Sequence, residues 1–191
     1  MNIKKLWETY FFKKRNIMVY HNNIQPFKNI FFISMVDFDV ELLLNRADSN
    51  LAKYLKMRKD NPAWVLFYCE VDSKILGYSF LHVPVQEEWN DSLPTKSGEA
   101  RVSTNFVYPE YRGRGILGEI AKCQINYANE NNLKLWCVIE SSNISAMRAS
   151  YKNTLIDKSN YLVKILKRNI VSITTKPFRA SILLRKKRAK R

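Results

Sequence analysis

The sequence predicts a single-domain α/β protein with a mixed sheet, and three observations lead to this fold class. Segments rich in aromatic and β-branched residues, which favour strands, alternate with segments whose apolar residues recur at helical spacing. The second half of the chain runs strand, helix, strand, helix, strand, an order typical of layered α/β folds. The 191 residues, 46% of them hydrophobic, suit one domain with a sizeable core.

The first half of the chain is predicted to hold two strands, a helical region and a hairpin. The first strands are "YFFKKRNIMVYHN" and "NIFFISMV". Apolar residues then recur at helical spacing, which predicts a helix or a broken helix pair over roughly 38–58. Next, "WVLFYCEV" and "KILGYSFLHV" are joined by Asp72-Ser73, which predicts a hairpin. The polar stretch 84–98 contains two prolines and is predicted to be a long loop.

The second half centres on the strand "EARVSTNFV", which leads into a glycine-rich turn. Polar residues alternate with mostly apolar ones along this strand, so they should share one face; they are Glu99, Arg101, Ser103 and Asn105. An amphipathic helix follows from Ile116. The segment "KLWCVIE" is apolar on both faces and is predicted to be a central strand. A short helix over "SSNISAMRASYKN" and two closing strands, "YLVKIL" and "NIVSIT", complete the chain.

The charge and the cysteine content predict a basic tail and a reducing cellular compartment. The formal charge is +15, and the last seven residues carry six of these charges. We therefore expect a domain over 1–184 and a basic tail over 185–191, either a solvated terminus or a weak contact for an anionic surface or nucleic acid. The three cysteines lack metal-ligand spacing and sit in apolar contexts, so we expect buried free thiols, no metal site and a cytoplasmic location. The N-terminus lacks the apolar core of a signal peptide.

The glycine-rich turn is the strongest candidate for a binding site. A helix start exposes unpaired backbone N–H groups and partial positive charge, which together bind phosphate. Gly113 and Gly115 allow unusual backbone angles, and Arg112 and Arg114 add charge. The signatures of a mononucleotide P-loop and of a dinucleotide fold are both missing. The turn therefore suits a pyrophosphate of another kind, the alternative being an ordinary turn with surface arginines.

Two segments resemble motifs of the GNAT superfamily of acetyl-CoA-dependent N-acetyltransferases. "VYPEYRGRG" resembles the pyrophosphate motif Arg/Gln-x-x-Gly-x-Gly/Ala, usually preceded by Val-x-Pro; Arg112 and Gly115 match, whereas Leu117 replaces Gly or Ala and Gly118 follows it. "NISAMRASYKNTL" is similar to a second motif that carries Asn, Ala and Tyr in this order, although the usual Gly-Phe after it is absent. The corresponding residues are Asn143, Ala146 and Tyr151.

The resemblance implies a GNAT-like fold, with a mixed twisted sheet and helices on both faces. It also implies direct attack of an amine on the thioester of acetyl-CoA, whose pantetheine arm runs between the strands ending at Val107 and Glu140. The residues implied to bind coenzyme A are Phe106, Val107, Arg112, Gly113, Arg114, Gly115, Leu117, Gly118 and Asn143. For Asn143 a helix N-cap is an additional role.

The resemblance further implies catalytic groups. Tyr151 is predicted to be the general acid that protonates the departing thiolate, the alternative being a core aromatic. Glu99 is predicted to be the base, the alternative being a solvated strand end, and Glu140 is a second candidate. His82 is expected to be a strand residue, with a proton relay as the alternative.

The acceptor is predicted to be a small-molecule primary amine such as an amino sugar. A protein or peptide N-terminus, or a coenzyme A-binding module without turnover, are the alternatives. An acidic loop around Trp89 is a candidate for attracting a cationic amine, with a solvated loop as the alternative. Its acids are Glu87, Glu88 and Asp91, and those proposed for a second wall are Asp37, Asp39 and Glu41. The oligomeric state is left open, a homodimer included.

Overall fold

The computed structural model describes most of the chain between its first and last strands. The described residues are 12–20, 29–36, 39–45, 47–90, 93–140, 143–146, 148, 156–165, 169–174 and 180–184. Some earlier predictions lie outside them: those for Asp37, the side chain of Asp39, Asp91, Tyr151, most of the short helix over 141–153 and the basic tail 185–191.

The described strands form a nine-stranded mixed sheet and a separate two-stranded one. The large sheet contains β1 (Phe12–Tyr20), β2 (Ile30–Ser34), β3 (Trp64–Val71), β4 (Lys74–His82), β7 (Glu99–Val107), β8 (Lys134–Glu140), β9 (Ile156–Ile165), β10 (Asn169–Thr174) and β11 (Ala180–Leu184). Their spatial order is β11-β10-β9-β1-β8-β7-β4-β3-β2. The pair β7–β8 is parallel and the other pairs are antiparallel, which confirms the predicted mixed sheet.

Helices flank the sheet in the described part of the chain. The predicted helical region is a broken pair, α1 (Asp39–Leu44) and α2 (Ser49–Arg58), and the amphipathic helix is α3 (Ile116–Glu130). Asp48 begins α2, because its carboxylate accepts a hydrogen bond from the Leu51 N–H at 2.8 Å.

Two buried cores, one on each face of the sheet, confirm that helices cover both sides. The first core joins strand residues such as Phe67 to α3 residues such as Ile120. The second joins strand residues such as Leu66 to α1 and α2 residues such as Leu55. Successive strand residues enter opposite cores, as the two-residue period of a strand requires.

The connection at Asp72-Ser73 has the predicted structure, and the connection over 84–98 is more ordered than predicted. Asp72 and Ser73 both have positive φ, 49° and 59°, which is the conformation of a tight hairpin turn. The stretch 84–98, however, is more than a loop. It contains the short hairpin of β5 (Glu88–Asn90) and β6 (Leu93–Thr95). A third closing strand, β11, was also not predicted.

The predicted polar face of β7 is wrong at Asn105. Thr104 has φ +54°, and the register between β4 and β7 shifts at this point, so the strand contains a β-bulge. Asn105 accepts a hydrogen bond from Ser79 on the α3 side, whereas Thr104 contacts Arg58 of α2. The extra residue reverses the alternation, which a pattern with a strict period of two cannot anticipate.

None of the described helices is long and apolar enough to cross a membrane. The three cysteines are free thiols, as expected; Cys69 and Cys137 are buried and Cys123 is partly buried.

Candidate functional site

A gap opens between the two parallel strands at the centre of the sheet. β7 and β8 pair from Glu99↔Lys134 to Val102↔Cys137. Beyond that pair, β7 remains bonded to β4 as far as Gly77↔Val107, and β8 remains bonded to β1. Each of the two strands therefore stays paired with its other neighbour, β4 or β1, but β7 and β8 are no longer paired with each other. Backbone groups of 103–107 and 138–140 therefore border the gap, where they can bond a ligand that lies along the strands.

The bulge at Thr104 begins where the strands separate, because a bulged strand bends and twists more strongly. Two sets of contacts hold it. On one face the Arg58 Nη2 donates to Thr104 Oγ1 at 2.9 Å. On the other, Gln124 of α3 donates to Ser79 Oγ at 2.8 Å, and Ser79 donates to Asn105. This polar network ties α3 to β4 and β7 beside the gap.

The wide end of the gap meets the glycine-rich turn. Gly113 and Gly115 have φ +79° and +81°, a region that favours glycine, and Gly115 is the N-cap of α3. Among the described residues, no side chain caps this helix. The N–H groups of its first turn have no acceptor within the helix. A Cβ placed on either glycine would meet no heavy atom within 4 Å, so the turn borders open space.

Gly77 lets the turn approach the sheet. A Cβ at Gly77 would stand 2.9 Å from Phe106 O, 2.9 Å from Val107 Cγ2 and 3.2 Å from Ile116 Cγ2. Only a hydrogen atom fits there, so this glycine sets the distance between β4, the end of β7 and the start of α3. Gly77 was not among the predicted site residues, although a glycine inside a predicted strand is a signal of close approach.

The gap and the turn form one cavity of about 800 Å³. Its walls are the second part of β7 from Arg101 onward, the turn, the first turns of α3, the end of β8 from Cys137 to Glu140, and residues of 143–146. That volume is typical of small-molecule and cofactor sites. Backbone N–H groups at the turn can bind a phosphate, and the unpaired edges of β7 and β8 can bond an extended chain. The cavity therefore suits a long ligand with an anionic group at one end.

No known protein family and no curated protein matches the sequence, but solved structures match the fold. A GNAT-family acetyltransferase from Colwellia psychrerythraea has a TM-score of 0.59 at 16% identity, over 85% of this chain and 60% of its own. A second, from Novosphingobium aromaticivorans, has a TM-score of 0.55 at 15% identity, over 80% and 62%. A GCN5-related N-acetyltransferase from Sphaerobacter thermophilus has a TM-score of 0.51 at 16% identity, over 84% and 54%.

The chain has the GNAT fold. The predicted fold class is thereby confirmed. The chain spans between about half and three fifths of the length of the three solved structures.

Most residues predicted to bind coenzyme A lie around the cavity of this GNAT fold. Those that line it are Phe106, Val107, Arg112, Gly113, Gly115, Leu117, Gly118 and Asn143. Arg114 does not line it; its guanidinium donates to Glu110 O at 3.4 Å and lies over the Tyr111 ring. Asn143 also caps the helical turn after it, since its Oδ1 accepts from the Ala146 N–H at 3.1 Å.

Arg112 has a bracing role that the sequence did not predict. Its Nε donates to Val107 O at 3.1 Å, and its backbone N–H is bonded to Pro109 O at 3.3 Å. The backbone donors of the turn that are left for a ligand therefore begin at Gly113.

The structure does not bring Glu99 to the cavity. Glu99 pairs with Lys134 at the closed end of the β7–β8 pair, and its carboxylate accepts from the Lys96 N–H at 3.1 Å. Along β7 the cavity wall begins only at Arg101. Glu140, at the open end of β8, does line the cavity. The sequence did not show that Glu99 lies at the closed end, because the position of a strand residue along the gap depends on where the strands separate; its role as the base stays a prediction.

His82 is 1% exposed and belongs to a small buried cluster. Its Nε2 lies 3.0 Å from Glu88 Oε2, its Nδ1 lies 3.4 Å from Thr95 Oγ1, and its ring stacks on Trp64. Burial lowers the pKa of His82, and the nearby Arg101 and Arg58 lower it further, against the opposing effect of Glu88. The imidazole is therefore neutral near pH 7.

Two acids of the loop around Trp89 are engaged within the protein. Glu88 contacts His82, and Glu87 accepts a hydrogen bond from Trp89 Nε1 at 3.2 Å. Glu41, proposed for a second wall, forms an ion pair with Lys59. These contacts weaken the case for an acidic surface that attracts a cationic acceptor.

Proposed function

We propose that the chain is an N-acetyltransferase that transfers an acetyl group from acetyl-CoA to the primary amine of a small molecule. The observation that carries this proposal is the separation of β7 and β8 beyond Val102↔Cys137, in line with the uncapped start of α3. Coenzyme A fits this arrangement, because it has an anionic pyrophosphate for the helix start and an extended pantetheine arm for the gap between the strands. The free thiols suit a reducing cytoplasm, which we propose as its location.

The residues of the cavity fit the parts of acetyl-CoA. The N–H groups from Gly113 to Gly118 would hold the pyrophosphate, because a helix start binds anions. The backbone edges of 103–107 and 138–140 would bond the amides of the pantetheine arm as an added strand does. Backbone near Phe106 and Val107 would then position the thioester carbonyl.

The reaction would be a direct transfer. The amine nitrogen forms a bond to the carbonyl carbon, the carbon–sulfur bond breaks, the amine loses one proton and the thiolate gains one. Most of the acceleration would come from holding both reactants in place. Glu140 replaces Glu99 as the proposed proton acceptor because it lines the cavity. Tyr151, outside the described residues, stays the predicted proton donor.

We propose a small acceptor because acetyl-CoA itself would take up most of the cavity of about 800 Å³. An amino sugar is one acceptor of this kind. A peptide N-terminus and a module that binds coenzyme A without turnover are the outcomes that would replace this proposal.

The test is release of free thiol from acetyl-CoA by the full chain with a panel of amino sugars, amino acids, diamines and a peptide with a free N-terminus. Turnover with any small amine supports the proposal. Turnover with the peptide alone would identify a peptide acetyltransferase, and tight coenzyme A binding without any turnover would identify a binding module.

A matched pair of variants tests the base. Glu140→Gln should reduce turnover by roughly 10²–10⁴ at unchanged coenzyme A affinity, because the amine loses its proton acceptor. Glu99→Gln makes the same chemical change on the neighbouring strand and should leave turnover within about twofold of wild type. The reverse ranking would restore Glu99 as the base.

A further inference from the structure

Arg58, the last residue of α2, is partly buried and contacts Thr104 of the cavity wall without lining the cavity itself. Its guanidinium carbon is 4.1 Å from the ring centres of both Trp64 and Phe80 and 5.0 Å from that of Tyr54. The aromatic rings fix its position from several sides. Its Nη2 donates to Thr104 Oγ1 at 2.9 Å, which directs the group toward the bulge.

One donor of the Arg58 guanidinium forms no hydrogen bond with the described part of the chain. Its Nη1 is buried and has no hydrogen-bond partner among the described residues. A buried donor without an acceptor is costly, and more so on a charged group. Although burial lowers the pKa of Arg58 to about 10, the group remains protonated at neutral pH. An anionic partner at Nη1 would remove the cost.

A second cation, Arg101, lies on β7, the strand that carries Thr104. Arg101 is 5% exposed, lies over the Trp136 ring and lines the cavity. Ser103 and Thr104 follow Arg101 along β7; their hydroxyls are 3.3 Å apart and both residues line the cavity. This part of the wall therefore offers positive charge and hydroxyl donors together.

Nearby carboxylates have other partners. Glu88 is bonded to His82, and Asp48 caps α2. The described carboxylate that lines the cavity is Glu140, on the opposite strand. One wall is thus basic and the other carries an acid, which matches a small molecule with an acidic group at one end and an amine at the other.

We propose that the acceptor is an amine that also bears a carboxylate, and that Arg58 and Thr104 bind this carboxylate. The inference rests on the proposed acetyltransferase function and names its substrate class. Arg58 Nη1 would donate to one carboxylate oxygen and the Thr104 hydroxyl, which already accepts from Nη2, would donate to the other. The amine would then point across the gap toward Glu140.

The experiment compares amines that differ only in the carboxylate: glycine with glycinamide, L-serine with L-serinamide, and β-alanine with β-alaninamide. Thiol release from acetyl-CoA is measured for each, and rates are corrected to the concentration of neutral amine because the amides are less basic. Aminomethylphosphonate is included as a phosphonate-bearing amine. We expect kcat/KM for the acids to exceed that for the amides by about tenfold or more, the effect of one charge-assisted hydrogen bond.

Arg58→Gln should lower kcat/KM for the acids by about tenfold and leave the amides within about twofold, so that the preference disappears. Lys56→Gln removes an exposed charge from the same helix and should preserve the preference. If Arg58→Gln does not fold, Arg58→Lys keeps the charge and loses the planar donor pair, and an intermediate preference is expected.

The outcomes separate the two proposals. Turnover of amides at least as fast as acids by wild type, or a preference that survives in a folded Arg58→Gln, would overturn the carboxylate assignment and leave the acetyltransferase standing. A preference for aminomethylphosphonate over glycine would assign the site to a tetrahedral anion instead. No thiol release with any amine would overturn the proposed function and this inference with it.

Discussion

The clearest perturbation of the turn is Gly115→Ala, because the chain contains a matched control. Gly115 has φ +81° and Gly98 has φ +77°, and a Cβ added to either would meet no heavy atom within 4 Å. The two substitutions therefore impose the same backbone strain without any clash. Gly98 lies in the turn before β7, at the opposite end of that strand from the cavity mouth.

The magnitude follows from the backbone. A residue with a Cβ in the left-handed region costs roughly 1–2 kcal/mol, so each variant should lose about that much stability. For a chain of this length the melting temperature should fall by roughly 2–4 °C for each kcal/mol. Only Gly115→Ala places a methyl group in the space where the pyrophosphate should lie. Its Kd for coenzyme A should rise about tenfold or more, which corresponds to ~1.4 kcal/mol.

The assay is isothermal titration of coenzyme A into wild type and both variants, with melting curves of the same samples. Equal stability loss with weaker binding in Gly115→Ala alone is the expected result. If Gly98→Ala weakens coenzyme A binding as much, the effect is general strain; if neither does, the phosphate site is elsewhere.

Three further predictions concern the core and the chemistry. Because burial lowers the pKa of His82, the folded state favours the neutral ring, and the free energy of unfolding should fall as the pH drops below 6.5, the ordinary pKa of histidine. The stability difference between wild type and His82→Gln, measured by denaturant titration, should therefore be smaller at about pH 5 than at about pH 7.5. A difference that does not change with pH would refute a lowered pKa of His82. Gly77→Ala should cost roughly 1–3 kcal/mol and weaken coenzyme A binding, because its methyl group would displace Val107 and Ile116; unchanged binding and melting would show that the contact is soft. Tyr151→Phe should lower turnover by roughly 10²–10⁴ with coenzyme A affinity unchanged, and a loss below about threefold in a single-turnover measurement would reject Tyr151 as the acid.

Local sequence patterns predicted the elements and the turn, because those depend on near neighbours. The glycines of the turn follow from the strand–helix junction, and the hairpin around Asp72-Ser73 follows from its flanking strands. The place of Glu99 did not follow, since it depends on the point where β7 and β8 separate.

The β-bulge at Thr104 and its contact with Arg58 are features of tertiary structure. Thr104 adopts a conformation that is rare for a β-branched residue, and it is held there by Arg58, 46 positions away in the sequence. A pattern read along the strand assigned Asn105 to the wrong face for this reason. The contact that corrects it comes from the opposite core, through Ser79 and Gln124.

Hydrogen exchange with and without saturating coenzyme A reports on individual backbone N–H groups, so it tests whether the ligand lies between β7 and β8. We expect slower exchange at the amides of 113–118, at the start of α3, and at those of 103–107 and 138–140 that border the gap. The amides of β3, which lie outside the cavity wall, should change little. Protection confined to other segments, or no protection while calorimetry shows binding, would contradict the placement of the ligand between β7 and β8.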